Sequence, residues 1–310
     1  MPELPEVETI RLGLSQLLPG RSVADVEFDW PKSFPNAPED VRQFLVGAKL
    51  KTVRRRAKVL IIDLDSDYSL VIHLKMTGQL VFVGPTVTVS LPSGSNGQSE
   101  PVLRFGAGHP TESLIGDLPD KSTRVTITFT DDSRLFFNDQ RKFGWMRLLP
   151  TTEIANLDFF QKVGPEPLAA DFSWQALRER LLKRPDSNIK AVLLDQTIVA
   201  GIGNIYADES LWGAKIHPAS LVKSLTTEQF RRLYEELIFV LELAIEKGGS
   251  TDRNYVNAEG KRGSYVTFAR VFRREGQACP RCGTIIIKTR VAGRGTHTCP
   301  HCQRQKMAKA

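Results

Sequence analysis

Cys279-Pro280-Arg281-Cys282 and Cys299-Pro300-His301-Cys302, separated by sixteen residues, decide the fold at one end of this chain and set the frame for the rest. Two short-spaced cysteine pairs across a linker of this length match a tetrahedral four-thiolate zinc site. Ile285–Ile287 and Thr296–Thr298 read as the two strands of a zinc ribbon that turns near Gly293-Arg294-Gly295. Disulfides are the alternative, and a reducing compartment disfavours them. His297 and His301 could each replace a thiolate, although four cysteines complete the set alone. Four protein ligands leave no open position for water, so this metal is structural. A segment with so little core takes most of its folding free energy from the metal.

Working outward, charge follows the same end of the chain. From residue 253 to 310 there are thirteen Lys or Arg against two acids, Glu259 and Glu275, although the whole chain carries only +7. A second cluster, Lys49, Lys51, Arg54, Arg55, Arg56 and Lys58, sets six cations in ten positions. Two separated basic patches suit a polyanion held at two places, nucleic acid first among candidates; the alternative is two solvated basic faces. With 310 residues, 41% of them hydrophobic, the chain is long enough for two or three domains with ordinary cores. It has no apolar run of about 18–20 residues and no basic-then-apolar leader, so the expected location is the cytoplasm.

At the other end stands Met1-Pro2-Glu3-Leu4-Pro5-Glu6. Removal of Met1 would leave Pro2 with a free secondary amine, able to attack an aldehyde-like carbon and form an iminium. A chain-terminal amine titrates near ~8 against ~10.4 for lysine, so more of it is neutral at pH 7. The other reading is that Pro2 and Pro5 only pre-set a first helix. That helix is expected from Pro5 to Leu18, with Val7, Ile10, Leu14 and Leu17 at helical spacing and Pro19-Gly20 as the stop.

Eight short strands follow between Ser22 and Leu148, several joined by polar turns, which predicts a β-sandwich. From Gly84 to Asp120 the alternation fails, and that stretch is expected to be a long, partly disordered surface loop. Beyond Leu168 the pattern becomes helical. Ser173 is placed to cap one helix, Lys190–Asp195 forms a second, and Thr226 with Gln229 makes a capping box for a long one ended by Gly248-Gly249. Gly201-Ile202-Gly203-Asn204 precedes a further helix, and its free amides could hold a phosphate.

Together these residues resemble the formamidopyrimidine-DNA glycosylase and endonuclease VIII family. The carriers are Pro2-Glu3-Leu4-Pro5-Glu6-Val7-Glu8, Arg55-Arg56-Ala57-Lys58, His73-Leu74-Lys75-Met76-Thr77-Gly78, Asp139-Gln140-Arg141-Lys142-Phe143-Gly144, Gly164-Pro165-Glu166-Pro167-Leu168, Gly203-Asn204-Ile205-Tyr206-Ala207 and the ribbon, in family order. The opening looks like the formamidopyrimidine branch. The resemblance implies an α+β multidomain protein: an N-terminal helix plus β-sandwich (1–150, with an insertion at about 84–122), a helix–two-turn–helix domain with a lesion-recognition loop (151–272), and a zinc ribbon (273–310).

It also implies removal of 8-oxoguanine and formamidopyrimidines from duplex DNA, followed by β,δ-elimination through a Schiff base on Pro2. Glu3 would serve as acid/base group at the sugar, Lys58 as proton donor in β-elimination and Arg294 in δ-elimination. Met76, Arg141 and Phe143 would fill the space left by the extruded nucleotide. Lys190 and Asn204 would hold backbone phosphates; His73, within its motif, is counted with the DNA contacts. Glu6 is a weaker choice near the lesion, and the loop around Tyr255–Tyr265 would fold over the extruded base. The expected cofactor is one structural Zn2+ on Cys279, Cys282, Cys299 and Cys302; the partner is damaged duplex DNA; the state is monomeric.

Two departures stand out. The family often places a phosphate-binding His where this chain has Ser122, with Arg124 as a possible substitute, and a usual double Arg is Arg141-Lys142 here. Three rivals are an endonuclease VIII-like activity on oxidised pyrimidines, a binding module without catalysis, and a zinc-ribbon protein acting on RNA.

Overall fold

The computed structural model describes residues 2–88, 101–109, 111–249 and 265–305. It forms two compact units, Met1–Gln161 with Ile245–Ser264, and Lys162–Ala244 with Tyr265–Ala310.

The first unit begins with helix α1 (Leu4–Leu17), whose Leu4, Val7, Ile10, Leu14 and Leu17 are all buried. It starts as expected: Pro5 lies in the first turn, and the Glu6 carboxylate accepts the Glu3 N–H at 2.8 Å, which satisfies one of the end donors every helix leaves open. Strand β1 (Val23–Phe28) and a short helix α2 (Pro38–Phe44) follow. Then come β2 (Leu50–Arg56), β3 (Val59–Leu64), β4 (Tyr68–His73), β5 (Gly78–Thr88), β6 (Pro101–Gly108), β7 (Thr123–Phe129), β8 (Arg134–Asp139), β9 (Trp145–Pro150) and helix α3 (Asp158–Lys162). One antiparallel sheet runs β1-β7-β8-β5-β6 and the other β2-β3-β4-β9. Both sheets and α1 contribute to one apolar core. The β-sandwich is therefore as the alternating pattern predicts.

The expected surface loop from residue 84 to 120 needs correction. β5 runs on to Thr88, and β6 pairs with it antiparallel as the edge strand of the five-stranded sheet. Phe105 of β6 is fully buried against α1, where Gly13 makes room: a Cβ there would lie 2.1 Å from the ring. Ala107 and Leu114 join the same core. Residues 89–100 of this stretch lie outside the described residues, as does most of the loop expected at Tyr255–Tyr265.

The second unit holds α4 (Trp174–Leu181), α5 (Ile189–Leu193), α6 (Asn204–Gly213), α7 (Thr227–Glu246) and α8 (Tyr265–Phe268), then the hairpin β10 (Ile287–Val291) and β11 (Arg294–Thr298). Its starts are those the sequence marks. Ser173 Oγ accepts the Ala176 N–H, Asn188 Oδ1 the Ala191 N–H, and Thr226 and Gln229 exchange both bonds of a capping box. Gly248 and Gly249, at φ +75 and +86 and already part of the first unit, end the long helix in the left-handed region. The core gathers Leu177, Leu193, Tyr206, Leu211, Leu233 and Leu237. Among the described residues, no helix is long and apolar enough to cross a membrane.

Candidate active site

Pro2 and Glu3 are both buried where α1 begins. Glu6 serves the helix start through its bond to the Glu3 N–H. Gly249 packs on it so closely that a Cβ would lie 3.1 Å from Glu6 Cγ. Glu6 therefore fixes the backbone next to Pro2.

Lys58, 5% exposed, sits with Ala57 in the two-residue turn between β2 and β3. Ala57 adopts φ +53, as such tight turns require. Arg55 ties this hairpin to α1: its Nε donates to Glu8 at 2.7 Å, and its Nη1 donates to the Ala57 carbonyl at 2.9 Å. Burial raises the Glu8 pKa, but bonds from Arg11 and Arg55 outweigh it and hold the carboxyl below its ordinary range. Two members of the expected basic patch are thus engaged within the fold, Arg55 with Glu8 and Arg54 with Asp63 at 2.7 Å.

His73 pairs with Val59 across the sheet, beside Lys58. Its Nδ1 accepts the Lys75 N–H at 3.0 Å. Burial, then the charges of Lys75 and Lys58, bring its pKa down to about 3. His73 is therefore a neutral imidazole at pH 7, able to donate through Nε2.

Met76, distant in sequence from Arg141 and Phe143, comes together with them on the surface. Arg141 Nη1 donates to Met76 Sδ at 3.2 Å, and its guanidinium lies 4.9 Å from the Phe143 ring centre. Met76 is 40% exposed and Phe143 54%, high values for side chains so apolar. Asp139 holds the two loops in place. Fully buried, its carboxylate accepts the Thr77 hydroxyl, the Arg141 N–H at 3.2 Å and the Gly144 N–H at 2.6 Å. A Cβ at Gly144 would meet the Phe137 ring at 2.9 Å and Asp139 Oδ2 at 3.0 Å, so this close wrap requires glycine.

Arg124 differs from expectation. It is 4% exposed, and its guanidinium donates to the Asp139 carbonyl at 3.2 Å, to Asp29 at 3.1 Å and to the Lys121 carbonyl. Ser122 is buried as well, donating to Asp120 at 2.6 Å. Both side chains are thus engaged within the fold, where the resemblance leads one to expect a phosphate contact.

In the second unit, Lys190 also departs from its expected place at a phosphate. It is fully buried, its Nζ 2.6 Å from Asp208 Oδ1, 2.7 Å from Thr296 Oγ1 and 3.2 Å from the Gly295 carbonyl. Asn204 Nδ2 donates to the same carbonyl at 3.1 Å. The two residues hold the ribbon turn, in which Ala292 and Gly293 at φ +51 and +70 leave Arg294 exposed at the start of β11. The four cysteine Sγ atoms lie within 4.8 Å of one another, with Cys282 Sγ 3.4 Å from Cys302 and 3.5 Å from Cys299. A tetrahedron of zinc–sulfur bonds requires about 3.8 Å between sulfurs, so the set fits one structural zinc.

Sequence reasoning gives no role to Asp139, Asp208 or Glu209. All three are fully buried acids. Glu209 accepts the N–H groups of Arg270, Val271 and Phe272. The one signal for Asp208 and Glu209 is their place in a helix whose neighbours Tyr206, Ala207, Leu211 and Trp212 are apolar.

Three family models match in order: the formamidopyrimidine-DNA glycosylase N-terminal domain over residues 1–146, the formamidopyrimidine-DNA glycosylase H2TH domain over 163–255, and a zinc finger found in FPG and IleRS over 276–305. The chain is 39% identical over 304 residues to a formamidopyrimidine-DNA glycosylase of Chloroflexus aurantiacus, covering 98% of each chain. It is 41% identical over 306 residues to that of Geobacillus kaustophilus, covering 98% of this chain and 100% of the relative. Among solved structures, the Lactococcus lactis protein with a Fapy-dG containing DNA superposes with a TM-score of 0.82, and its complex with abasic-site DNA with 0.81. Both are 34% identical and cover 98% of this chain and 100% of the other.

Proposed function

Because the chain belongs to the formamidopyrimidine-DNA glycosylase family, we propose that it excises oxidised purines from duplex DNA and then cleaves the strand, with the Pro2 amine as nucleophile. The observation that carries this is the constellation in the first unit: Pro2 and Glu3 buried at the start of α1, Lys58 in a turn tied to that helix through Arg55 and Glu8, and an exposed Met76, Arg141, Phe143 cluster.

The lesion must leave the stack before its sugar can be reached. Met76 and Phe143 are suited to wedge into the step, and Arg141, here folded onto both, to turn to the orphaned base. With Met1 removed, the Pro2 nitrogen attacks C1′ and the C1′–base bond breaks, the base leaving with a proton. Ring opening gives an iminium between Pro2 and C1′. Its positive charge acidifies the C2′ hydrogen; loss of that proton expels the 3′ phosphate, and a second elimination expels the 5′ phosphate. Glu3 moves protons at the sugar, Lys58 donates in the first elimination and Arg294 acts in the second. His73 and Asn204 face the DNA backbone. Zinc supports the ribbon and takes no part in the chemistry. The site of action is bacterial DNA in the cytoplasm.

Borohydride trapping tests this reading. The untagged protein should become covalently joined to duplexes bearing 8-oxoguanine, and Pro2→Gly should lose the adduct while still binding the lesion. Unchanged excision by Pro2→Gly would overturn the assignment. Trapping on thymine glycol and not on 8-oxoguanine would move the substrate to oxidised pyrimidines.

A further inference from the structure

The β7–β8 register breaks at one place. Thr123 faces Asn138 and Val125 faces Phe137, which makes Arg124 the extra residue of a β-bulge. Bulges re-aim side chains. Here the guanidinium is directed to the end of β8, where Nε donates to the Asp139 carbonyl at 3.2 Å and Nη1 meets the Asp29 carboxylate at 3.1 Å, while Nη2 donates to the Lys121 carbonyl. Asp139 carries the wedge loops on its side chain, through Thr77, Arg141 and Gly144. Arg124 therefore grips the backbone of the residue whose side chain orders Met76, Arg141 and Phe143. We propose that Arg124, anchored by Asp29, is a positioning residue for strand invasion: it sets the wedge loop at the height needed to open the base step.

Three features support a built device over incidental burial. The guanidinium is 4% exposed and engages three separate partners, which together fix its orientation. Asp29, itself 65% exposed, is held toward it from outside the sheet by the end of β1, and the Asp29 N–H in turn donates to the Arg124 carbonyl at 3.4 Å. Planar, forked donors suit two carbonyls and a carboxylate at once, which an ammonium cannot match.

The inference rests on the proposed wedge role of the loop, and its test is kept apart from the Pro2 chemistry. Wild type, Arg124→Gln, Arg124→Lys and Asp29→Asn are mixed with a lesion duplex carrying 2-aminopurine opposite the step to be opened. The rise in fluorescence on unstacking is followed by stopped flow, and borohydride trapping is then measured on a single-stranded abasic oligonucleotide, which has no base to extrude and no partner to replace. A misplacement of about 1 Å far from the chemistry can cost about 100-fold. The unstacking rate should fall about 10- to 100-fold in Arg124→Gln, less in Arg124→Lys and least in Asp29→Asn, with single-strand trapping within about twofold of wild type. Equal losses in both assays, or an unchanged unstacking rate in Arg124→Gln, would overturn the proposal. Should Arg124→Gln fail to fold, Asp29→Asn decides alone, since its site is largely solvent-exposed. Pro2→Gly should keep the full fluorescence rise, so a failure of the nucleophile assignment would show in trapping and leave this readout intact.

Discussion

The sandwich unit and the ribbon unit each present an exposed side chain from a buried charge, but with different reserves behind it. In the first, Asp139 holds the Arg141 and Phe143 loop from the end of a strand embedded in a five-stranded sheet and a large apolar core. In the second, Lys190 and Asp208 hold the Arg294 turn on a hairpin whose own core is Trp212, Val271, Cys279, Ile286 and Cys299. Two of those five residues are metal ligands. The Arg141 and Phe143 loop thus draws its order from the chain alone, whereas the Arg294 turn draws it from the chain and an ion together.

The largest effect that separates the two is loss of zinc. Structural zinc supplies an apparent ~10–16 kcal/mol to comparable sites. Chelation, or Cys299→Ser, should unfold the ribbon and lower duplex affinity at least about 100-fold, in proportion to the number of phosphates the ribbon no longer reaches. The sandwich should keep its β-sheet circular dichroism and its thermal transition. Titrating chelator while following both signals checks this; a common midpoint for the two would erase the distinction between the units.

Next in size is the buried pair. Removing one partner strands the other in the interior at a cost of about 3–5 kcal/mol. Lys190→Met should lower stability by that much, because the fully buried Asp208 carboxylate would keep the His297 N–H at 3.0 Å but lose its cation. The more telling readout is salt. A phosphate-binding lysine contributes about one unit to the slope of log affinity against log salt. Lys190→Met should weaken DNA binding by loosening the turn while leaving that slope unchanged. A slope reduced by about one would return Lys190 to the phosphate backbone.

Lys190 also shows where the sequence stops being legible. A lysine at the start of a helix, near glycines and in a basic chain, reads as a phosphate contact; only the fold reveals that Asp208, eighteen positions later, faces it at bonding distance in the interior. The inward course of Arg124 is hidden for the same reason, since a bulge is invisible until two strands are in register. Alternation, caps and cysteine spacing are local signals, and they place the sandwich strands, the Ser173 and Thr226 caps and the four thiolates. β6 escapes them because Gly106 and Gly108 interrupt its alternation, although Phe105 is the large apolar residue that Gly13 leaves space for. The grouping of Met76 with Arg141 and Phe143 is legible only through family resemblance, because Arg141 comes sixty-five positions after Met76.

The smallest effect belongs to Glu8, which shows that the sandwich carries an electrostatic brace of its own. Its carboxyl is 16% exposed and bonded to Arg11 and Arg55, which hold its pKa below the ordinary value of 4.5 against the opposing effect of burial. A carboxylate whose pKa is depressed by folding stabilises the native state fully above its unfolded pKa, and that contribution is lost as pH falls through the folded value. The window therefore opens below pH 4.5. Glu8→Gln should cost about 1 kcal/mol at pH 7 and progressively less as the pH is lowered through that window. Urea midpoints for both proteins at neutral and acidic pH give the difference, in which the acid lability of the zinc thiolates cancels. A penalty that stayed constant from about pH 7 to about pH 3 would mean that Glu8 acts by packing, and that charge plays no part in joining α1 to the hairpin carrying Lys58.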